Sequence, residues 1–249
     1  MKSVKENISA IKAYNAADIL KSTVLFSNID DDLFRLFESE AIIKNCSKGK
    51  LLFLQEDDAE FFYVIASGWV KLFRETLDGE EAVVDVLNGG HIFGETAIFD
   101  NSIYSYSSQI VEDAVLLMLP LSLLKEKIEE NSKLSMQMFS AMSRFRRYQD
   151  KELEHRDLQN APQRIGCFLL RLCKSNVEKD ITLHLPYDKT LIASRLGMKP
   201  ETFSRALSRL RKETGINIKG STIKIDNIEQ LSDFSCSACS SAYPCEDMH

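Results

Sequence analysis

The segment from Thr190 to Leu210, TLIASRLGMKPETFSRALSRL, constrains the fold more than any other stretch of the chain. Its apolar residues recur at helical intervals on both sides of Gly197, and glycine accepts the positive backbone angle of a tight turn. Pro200 suits the first turn of a helix, where an amide hydrogen has no partner in the helix. The segment therefore predicts two short helices joined at Gly197, with the second beginning at Pro200.

The second of these helices carries a polar stripe. Ser204 and Arg205 each lie three or four residues from both Glu201 and Ser208, so the four side chains share one face. This pattern is typical of a helix-turn-helix, which places its second helix in the DNA major groove. A helical hairpin within some other fold is the alternative interpretation.

Local charge favours the first interpretation. Nine basic and three acidic residues lie between residues 187 and 224, whereas the whole chain has a net charge of −6. A basic segment on an acidic protein indicates phosphate binding at one surface. We therefore expect double-stranded DNA as a partner.

Length and composition are those of an ordinary globular protein. The 249 residues, 44% of them hydrophobic, allow one large domain or two modest ones. No apolar run is long enough to cross a bilayer, and the N-terminus lacks the pattern of a signal peptide, so we expect a cytoplasmic protein without a membrane partner. Phosphate-binding glycine loops and the HExxH pattern are absent from the sequence, so we do not expect an enzyme.

The periodicity of the apolar residues changes along the chain and divides it into parts. Residues 42–119 alternate as short strands and predict a small antiparallel barrel or sandwich. FFYVIASGWVKLFRE reads as two strands joined through Ser67 and Gly68, and EAVVDVL as another strand after an Asp-Gly turn. The predicted interior holds Val64, Val70, Leu72, Val84 and Val86.

Residues 121–158 follow with a helical pattern. Five of them recur at heptad spacing and predict the seam of a dimer: Leu134, Met138, Ala141, Phe145 and Tyr148. The alternative is a helix that packs against its own domain. The sequence Asn160-Ala161-Pro162 ends the pattern, and INIKGSTIKI near residue 220 reads as two strands beside the second helix.

These patterns together predict an α+β protein in four parts. A sensor domain covers residues 1–120, a dimerisation helix and hinge 121–160, a winged helix-turn-helix 161–231, and a cysteine-rich tail 232–249.

Three local motifs in this order resemble the CRP/FNR family of dimeric bacterial regulators: YVIASGWVKL, GGHIFGETAIF and KPETFSRALSRL. The resemblance covers roughly residues 25–231. It implies an N-terminal β-roll like that of cyclic-nucleotide-binding domains, a long dimerisation helix and a C-terminal winged helix. It also implies a homodimer on a palindromic site and RNA polymerase as a partner.

The resemblance also suggests how bases are read. Glu201, Ser204 and Arg205 match the positions that read a TTGA-type half-site in the oxygen-sensing branch of the family. Arg205 can donate to both guanine O6 and N7, Glu201 can accept from cytosine N4, and Ser204 can reach a neighbouring base. Four further residues are predicted to contact phosphates, namely Arg195, Lys199, Arg209 and Lys219.

Cyclic AMP, the obvious family ligand, does not suit the expected effector pocket. Gly94 and Glu95 match the start of the phosphate-binding segment, but residues 103–108, IYSYSS, contain no basic residue to pair a buried phosphate. A haem in the β-roll remains open, with His91 as the histidine nearest the expected pocket.

The tail offers a different sensor. Cys236, Cys239, Cys245 and His249 are metal-ligand types within fourteen residues, and some family members hold an iron–sulfur cluster on three C-terminal cysteines. An iron–sulfur cluster is the favoured occupant. Zinc, a disulfide switch and an inert tail are the alternatives.

We therefore predict a homodimeric transcriptional regulator that responds to redox state or a diatomic gas. A cyclic-nucleotide-binding-like module that acts on a protein partner is the alternative function.

Overall fold

The computed structural model describes residues 14–173, 179–186, 188–241 and 243–245. The chain divides into two compact units, residues 1–141 and residues 142–249, and the division falls within one long helix. Helices and an antiparallel sheet occur in each unit, so the predicted α+β class is confirmed. Of the helices in these ranges, none is long and apolar enough to span a membrane.

The first unit is built on a six-stranded antiparallel sheet. Its elements are α1 (Ala16–Lys21), α2 (Asp31–Glu40), β1 (Ile42–Cys46), β2 (Leu51–Phe53), β3 (Phe61–Glu75), β4 (Glu81–Leu87), β5 (Ile92–Phe93), a 3₁₀ turn (Glu95–Phe99), β6 (Ser107–Pro120) and α3 (Leu121–Glu130). The strands β1, β6, β3 and β4 lie side by side in that order, with β2 paired to β6 and β5 paired to β3. The core of this unit is one apolar cluster between the sheet and the helices.

Strand β3 corrects one expectation from the sequence. FFYVIASGWVKLFRE forms a single strand, and its pairing with β6 shifts register around residues 65–70 instead of reversing at Ser67 and Gly68. Gly68 has a φ of 90°, and a Cβ there would lie 2.5 Å from the Asp113 carbonyl oxygen. Glycine therefore permits a bulge in a continuous strand, not a turn.

A second bulge accounts for the one predicted interior residue that is exposed. Leu72 pairs with Asp85 and Phe73 with Val83, so Val84 is the extra residue in β4. Its side chain is 38% exposed, whereas the other four predicted interior residues are buried. A bulge changes the face on which following side chains lie, and alternation alone does not reveal it.

The long helix α4 spans Ser132–Leu158. Leu134 and Met138, predicted for a dimer seam, are 0% and 2% exposed and belong to the core of the first unit. The heptad pattern at these two positions thus reflects packing of the helix against its own unit. Apolar residues that remain exposed on α4 include Met136, Phe139, Met142 and Phe145.

The second unit combines helices with a three-stranded sheet. After the end of α4 come α5 (Ala161–Leu172), β7 (Lys179–His184), α6 (Lys189–Arg195), α7 (Pro200–Thr214), β8 (Asn217–Lys219), β9 (Thr222–Asn227) and α8 (Ile228–Cys236). The strands are antiparallel in the order β7, β9, β8, and β8 and β9 form the predicted hairpin around Gly220. Side chains from the sheet and from α5–α8 form a separate core.

Candidate functional site

The turn between α6 and α7 has the geometry that the sequence predicts. Gly197 has a φ of 60°, and the Met198 amide donates to the Ala193 carbonyl over 2.8 Å. Pro200 begins α7, and Phe203 and Leu210 anchor its inner side with exposures of 1% and 0%. Burial of this apolar side fixes which face of α7 is turned outward.

The outward face of α7 carries the predicted base-reading residues. Glu201, Ser204 and Arg205 are all exposed. Among the ion pairs of the described residues, none involves Glu201 or Arg205. An acceptor, a hydroxyl and a guanidinium thus stand next to one another on one helix, which is the set of groups that can read base edges.

Three of the four predicted phosphate contacts are exposed around this face. Lys199 precedes α7, Arg209 lies on its outer side, and Lys219 ends β8 in the hairpin. Lys199 occupies the N-cap position without a side-chain cap, because an ammonium group has no acceptor for the backbone N–H groups of the helix. These positions suit contacts that orient a protein on DNA.

Arg195 is the exception, because its side chain lies in the interior of the second unit. It is 8% exposed, and its Nη1 donates to Glu152 Oε2 over 3.0 Å. Its Nη2 also donates to the Tyr148 hydroxyl, and the guanidinium lies 5.6 Å from the centre of the Tyr148 ring. A guanidinium held in this way supports the structure of the second unit.

Tyr148 is likewise engaged within the second unit, although the sequence suggested a dimer seam. The guanidinium of Arg171 also lies over the Tyr148 ring, 4.6 Å from its centre. Arg171 in turn pairs with Glu152. Burial would raise the pKa of Glu152, but the charges of Arg171 and Arg195 together outweigh it, so the pKa lies below its usual value. A charged cluster therefore joins α4, α5 and α6.

The cysteine-rich tail packs on the same helix α4. Glu154 accepts hydrogen bonds from the Ser240 amide and hydroxyl over 2.8 and 2.9 Å. Lys151 donates to the hydroxyls of Ser240 and Ser241. These bonds hold Ser240 and Ser241 against α4, so this part of the tail packs on the second unit.

A histidine that sequence reasoning missed lies against this tail. His155 is 5% exposed, with its Nε2 3.5 Å from the sulfur of Cys239 and its Nδ1 3.8 Å from the sulfur of Cys167. Burial, with a smaller contribution from the Arg171 charge, lowers the pKa of His155 to about 4. The imidazole is therefore neutral at pH 7. The only sequence signal was a histidine on a helix, which by itself indicates nothing about the tail.

Cys236 and Cys245 belong to the same short segment as Cys239. Burial raises the pKa of Cys236, with smaller contributions from Cys239 and Cys245, while a backbone hydrogen bond from Tyr243 acts in the opposite direction. Burial also raises the pKa of Cys167 to about 12, and Cys236 and Cys245 add to that shift. Sulfur and nitrogen are donors of the kinds that bind zinc or iron.

The described side chains of the tail and His155 are of the chemical types that bind metals, but their positions do not form a metal site. In the part of the chain that the structure describes, no three His, Cys, Asp or Glu side chains are grouped closely enough to hold a metal ion. Cys239 and His155 are neighbours, with the sulfur 3.5 Å from Nε2, and Cys236 and Cys245 belong to the same short segment as Cys239. His249, predicted as a ligand, lies outside the described residues.

The expected effector pocket in the first unit contains a buried carboxylate. Glu95 follows Gly94 at the start of the 3₁₀ turn, and burial raises its pKa. One of its oxygens has no hydrogen-bond partner among the described residues. Tyr104 of the adjacent loop stacks on Phe53 with ring centres 3.6 Å apart. His91 is exposed, with its Nδ1 3.0 Å from the Asn88 carbonyl oxygen, which gives no support to its role as a haem ligand.

Two family models match the chain. A cyclic nucleotide-binding domain matches residues 43–131, and a Crp-like helix-turn-helix domain matches residues 163–234. The first match covers nearly all of the sheet of the first unit, and the second covers most of the stretch from α5 to α8.

Known proteins match over most of the chain. The cyclic AMP receptor protein of Thermus thermophilus is 29% identical over 178 residues, which are 72% of this chain and 81% of the relative. The anaerobic regulatory protein of Bacillus subtilis is 26% identical over 194 residues, which are 76% and 82% of the two chains. A solved structure of a proposed cyclic nucleotide binding protein from Ruegeria pomeroyi has a TM-score of 0.72 at 33% identity, covering 90% of this chain and 98% of that chain. The names of these relatives refer to cyclic AMP, to anaerobic regulation and to a cyclic nucleotide, respectively.

Proposed function

Since the chain belongs to the CRP/FNR family of transcriptional regulators, which bind DNA and are not enzymes, we propose that it acts as a homodimer on a palindromic TTGA-type site. The observation that carries this proposal is the exposed stripe of Glu201, Ser204 and Arg205 on α7, a helix whose inner side is buried. Arg205 reads guanine, Glu201 reads cytosine, and Ser204 contacts a neighbouring base.

The lysines and Arg209 around α7 support binding to the phosphates on both sides of the groove. Lys199, Arg209 and Lys219 are exposed and carry positive charge without selecting a sequence. In a dimer the two copies of α7 enter half-sites about one helical turn, roughly 34 Å, apart. RNA polymerase is the further partner that the family suggests.

Exposed apolar side chains on α4 support the dimer. Phe145 of the predicted seam is 48% exposed, and Met136, Phe139 and Met142 are 62%, 61% and 41% exposed. Large apolar side chains repeated along one helix favour a partner helix that covers them. Ala141 is half-buried and lies within this stretch.

We propose that the signal is redox state or a diatomic gas, read by the cysteines of the tail. An iron–sulfur cluster on Cys236, Cys239 and Cys245 is the favoured cofactor, and such a cluster supplies a centre that oxygen or nitric oxide alters. Packing of the tail on α4 supports this role, because a change at the cysteines acts directly on that helix. Cyclic AMP is a poor candidate, since residues 103–108 provide no positive charge for its phosphate.

The redox proposal is tested on protein purified without oxygen. We expect iron, sulfide and a visible charge-transfer absorption that air removes, together with a change in DNA affinity. Cys239→Ser should abolish the absorption, whereas Cys46→Ala, at a buried thiol in the first unit, should retain it. A colourless anaerobic preparation without bound metal would refute the cluster.

A further inference from the structure

The turn between α6 and α7 is closed by two backbone hydrogen bonds. The Gly197 amide donates to the Ser194 carbonyl over 2.9 Å. The Met198 amide donates to the Ala193 carbonyl over 2.8 Å. Together they form the Schellman arrangement, in which a glycine just after a helix adopts a left-handed conformation. The carbonyl of Leu196, at the C-cap of α6, takes no part in either bond.

Arg164 of α5 supplies the donor for this carbonyl. Its Nη2 donates a hydrogen bond to the Leu196 carbonyl oxygen, from a position 32 residues earlier in the chain. The guanidinium also lies close to Gly197, because a Cβ at that residue would be 3.7 Å from Nη2. Arg164 therefore connects α5 to the point at which the chain turns from α6 towards α7.

The guanidinium of Arg164 is partly withdrawn from water. Its side chain is half-buried, and burial lowers the pKa of Arg164, while the carboxylate of Glu152 acts in the opposite direction. Arginine remains protonated in proteins, so the donor to the Leu196 carbonyl carries a full charge. Such charge-assisted hydrogen bonds are roughly twice as strong as those between neutral groups. The contact is therefore well suited to hold the turn.

This contact lies next to the start of the helix that carries the proposed base contacts. Pro200 begins α7 three residues after Gly197, and α5 also packs against α7. A few residues between two elements can act as a hinge when their backbone angles change. A change at Gly197 would shift the exposed face of α7 that carries Arg205, and the bond from Arg164 opposes that change.

We propose that Arg164 is a positioning residue that holds the turn at Leu196 and Gly197, so that α7 keeps the orientation that base reading requires. The inference rests on the proposed base contacts of α7. Arg164 acts through the turn and not through a contact with DNA. Its loss therefore lowers the affinity for the specific site more than the affinity for unrelated DNA.

The test compares the wild type with Arg164→Ala and Arg164→Lys on a duplex with a TTGA-type palindrome and on a scrambled duplex. Arg156→Ala is the matched control, since it removes an exposed arginine of the same unit. Urea titration establishes that each variant is folded under the binding conditions. Hydrogen exchange at the Met198 amide reports on the turn, with the Ile223 amide of β9 as an internal reference.

For Arg164→Ala we expect the affinity for the palindrome to fall about 10-fold, as when about one tenth of the molecules hold α7 in the productive orientation. The affinity for the scrambled duplex and the slope of log affinity against log salt should stay nearly unchanged, because no phosphate contact is lost. The Met198 amide should exchange faster. Arg164→Lys should recover part of the affinity, since lysine keeps a charged donor, and Arg156→Ala should match the wild type.

Several outcomes would overturn the role of Arg164. A folded Arg164→Ala that keeps the wild-type preference for the palindrome is one. A salt slope that falls by about 1 is another, because it would place the guanidinium on a phosphate. If Arg164→Ala does not fold, Arg164→Lys carries the test, with a smaller loss of specific affinity and the same unchanged salt slope.

The base contacts of α7 fail in a different way. A wild type that does not prefer the palindrome refutes those contacts. Hydrogen exchange still tests the turn in that case, since unchanged exchange at Met198 in Arg164→Ala would show that Arg164 does not hold it.

Discussion

The carboxylate of Glu152 accepts a hydrogen bond from the guanidinium of Arg195 over 3.0 Å. Glu152 belongs to α4, and Arg195 is the last residue of α6, the first helix of the helix-turn-helix. Within the second unit, this contact fixes the DNA-binding helices against α4. The tail packs on the same part of α4 through Glu154, only two residues away. The tail and the helix-turn-helix therefore contact the same part of α4.

Glu152→Gln should destabilise the second unit. The substitution removes the carboxylate that pairs with both Arg171 and Arg195, and breaking a buried pair costs about 3–5 kcal/mol. We expect roughly 3 kcal/mol, the lower end of that range, because the Glu152 side chain is 20% exposed. Urea titration followed by circular dichroism measures the free energy of unfolding.

The matched control lies on the same helix. Asp150 pairs with Arg146 where both side chains are more than half exposed, and such pairs contribute about 0–1 kcal/mol. Asp150→Asn should therefore leave the free energy of unfolding nearly unchanged. Equal effects of the two substitutions would show that the cluster around Glu152 is not important for stability.

Arg209 and Arg195 should differ in how their loss affects DNA binding. Arg209→Ala removes an exposed side chain that is proposed to contact phosphate, so the slope of log affinity against log salt should fall by about 1 while the fold stays intact. Arg195→Ala should lower stability through the loss of the Glu152 pair. A fall in the salt slope for Arg195→Ala in folded protein would restore Arg195 as a phosphate contact.

The helix-turn-helix could be predicted from the sequence because its signals are local. Gly197 and Pro200 mark the turn and the start of α7 by their own backbone preferences, and periodicity separates Phe203 from Arg205. The surface proposed to read DNA therefore follows from a few residues that are close in the sequence.

The surroundings of Arg195 and His155 could not be predicted from local sequence signals. Whether an arginine is exposed depends on its partners, and Glu152 is 43 residues away. His155 meets Cys239 across 84 residues. The heptad pattern at Leu134 and Met138 shows that these residues are buried, but periodicity does not identify the surface that buries them.

Arg205→Ala should weaken binding to a TTGA-type site by about 1–3 kcal/mol and relax the preference at the contacted base pair. The reason is the loss of two hydrogen bonds to guanine. Affinities for the four variants of that base pair, measured by fluorescence anisotropy, test this expectation. Equal weakening on unrelated sequences would instead assign Arg205 to a phosphate.

The charge on Glu154 should make packing of the tail sensitive to acid. Hydrogen bonds from the Ser240 backbone, followed by Lys151 and the Ser240 side chain, lower the pKa of Glu154 from 4.5 to about 2. A lowered pKa means that the carboxylate adds stability above pH 4.5, and that this contribution declines as the pH falls towards 2. Glu154→Gln should therefore lose stability at pH 7 and approach the wild type below pH 4.5.

Urea titrations of both proteins at pH 7, 5, 4 and 3 measure this difference. A gap in the free energy of unfolding that stays constant over these values would show that the Glu154 charge does not hold the tail.

The most direct test of the central claim is binding to a duplex that carries two TTGA-type half-sites about one helical turn apart. Anisotropy titrations at about 150 mM salt compare it with a duplex of scrambled sequence. We expect the palindrome to bind at least about 10³-fold more tightly, as is typical of specific DNA recognition. Equal affinity for the two duplexes, or binding to neither in any redox state, would contradict the role of α7 as a recognition helix.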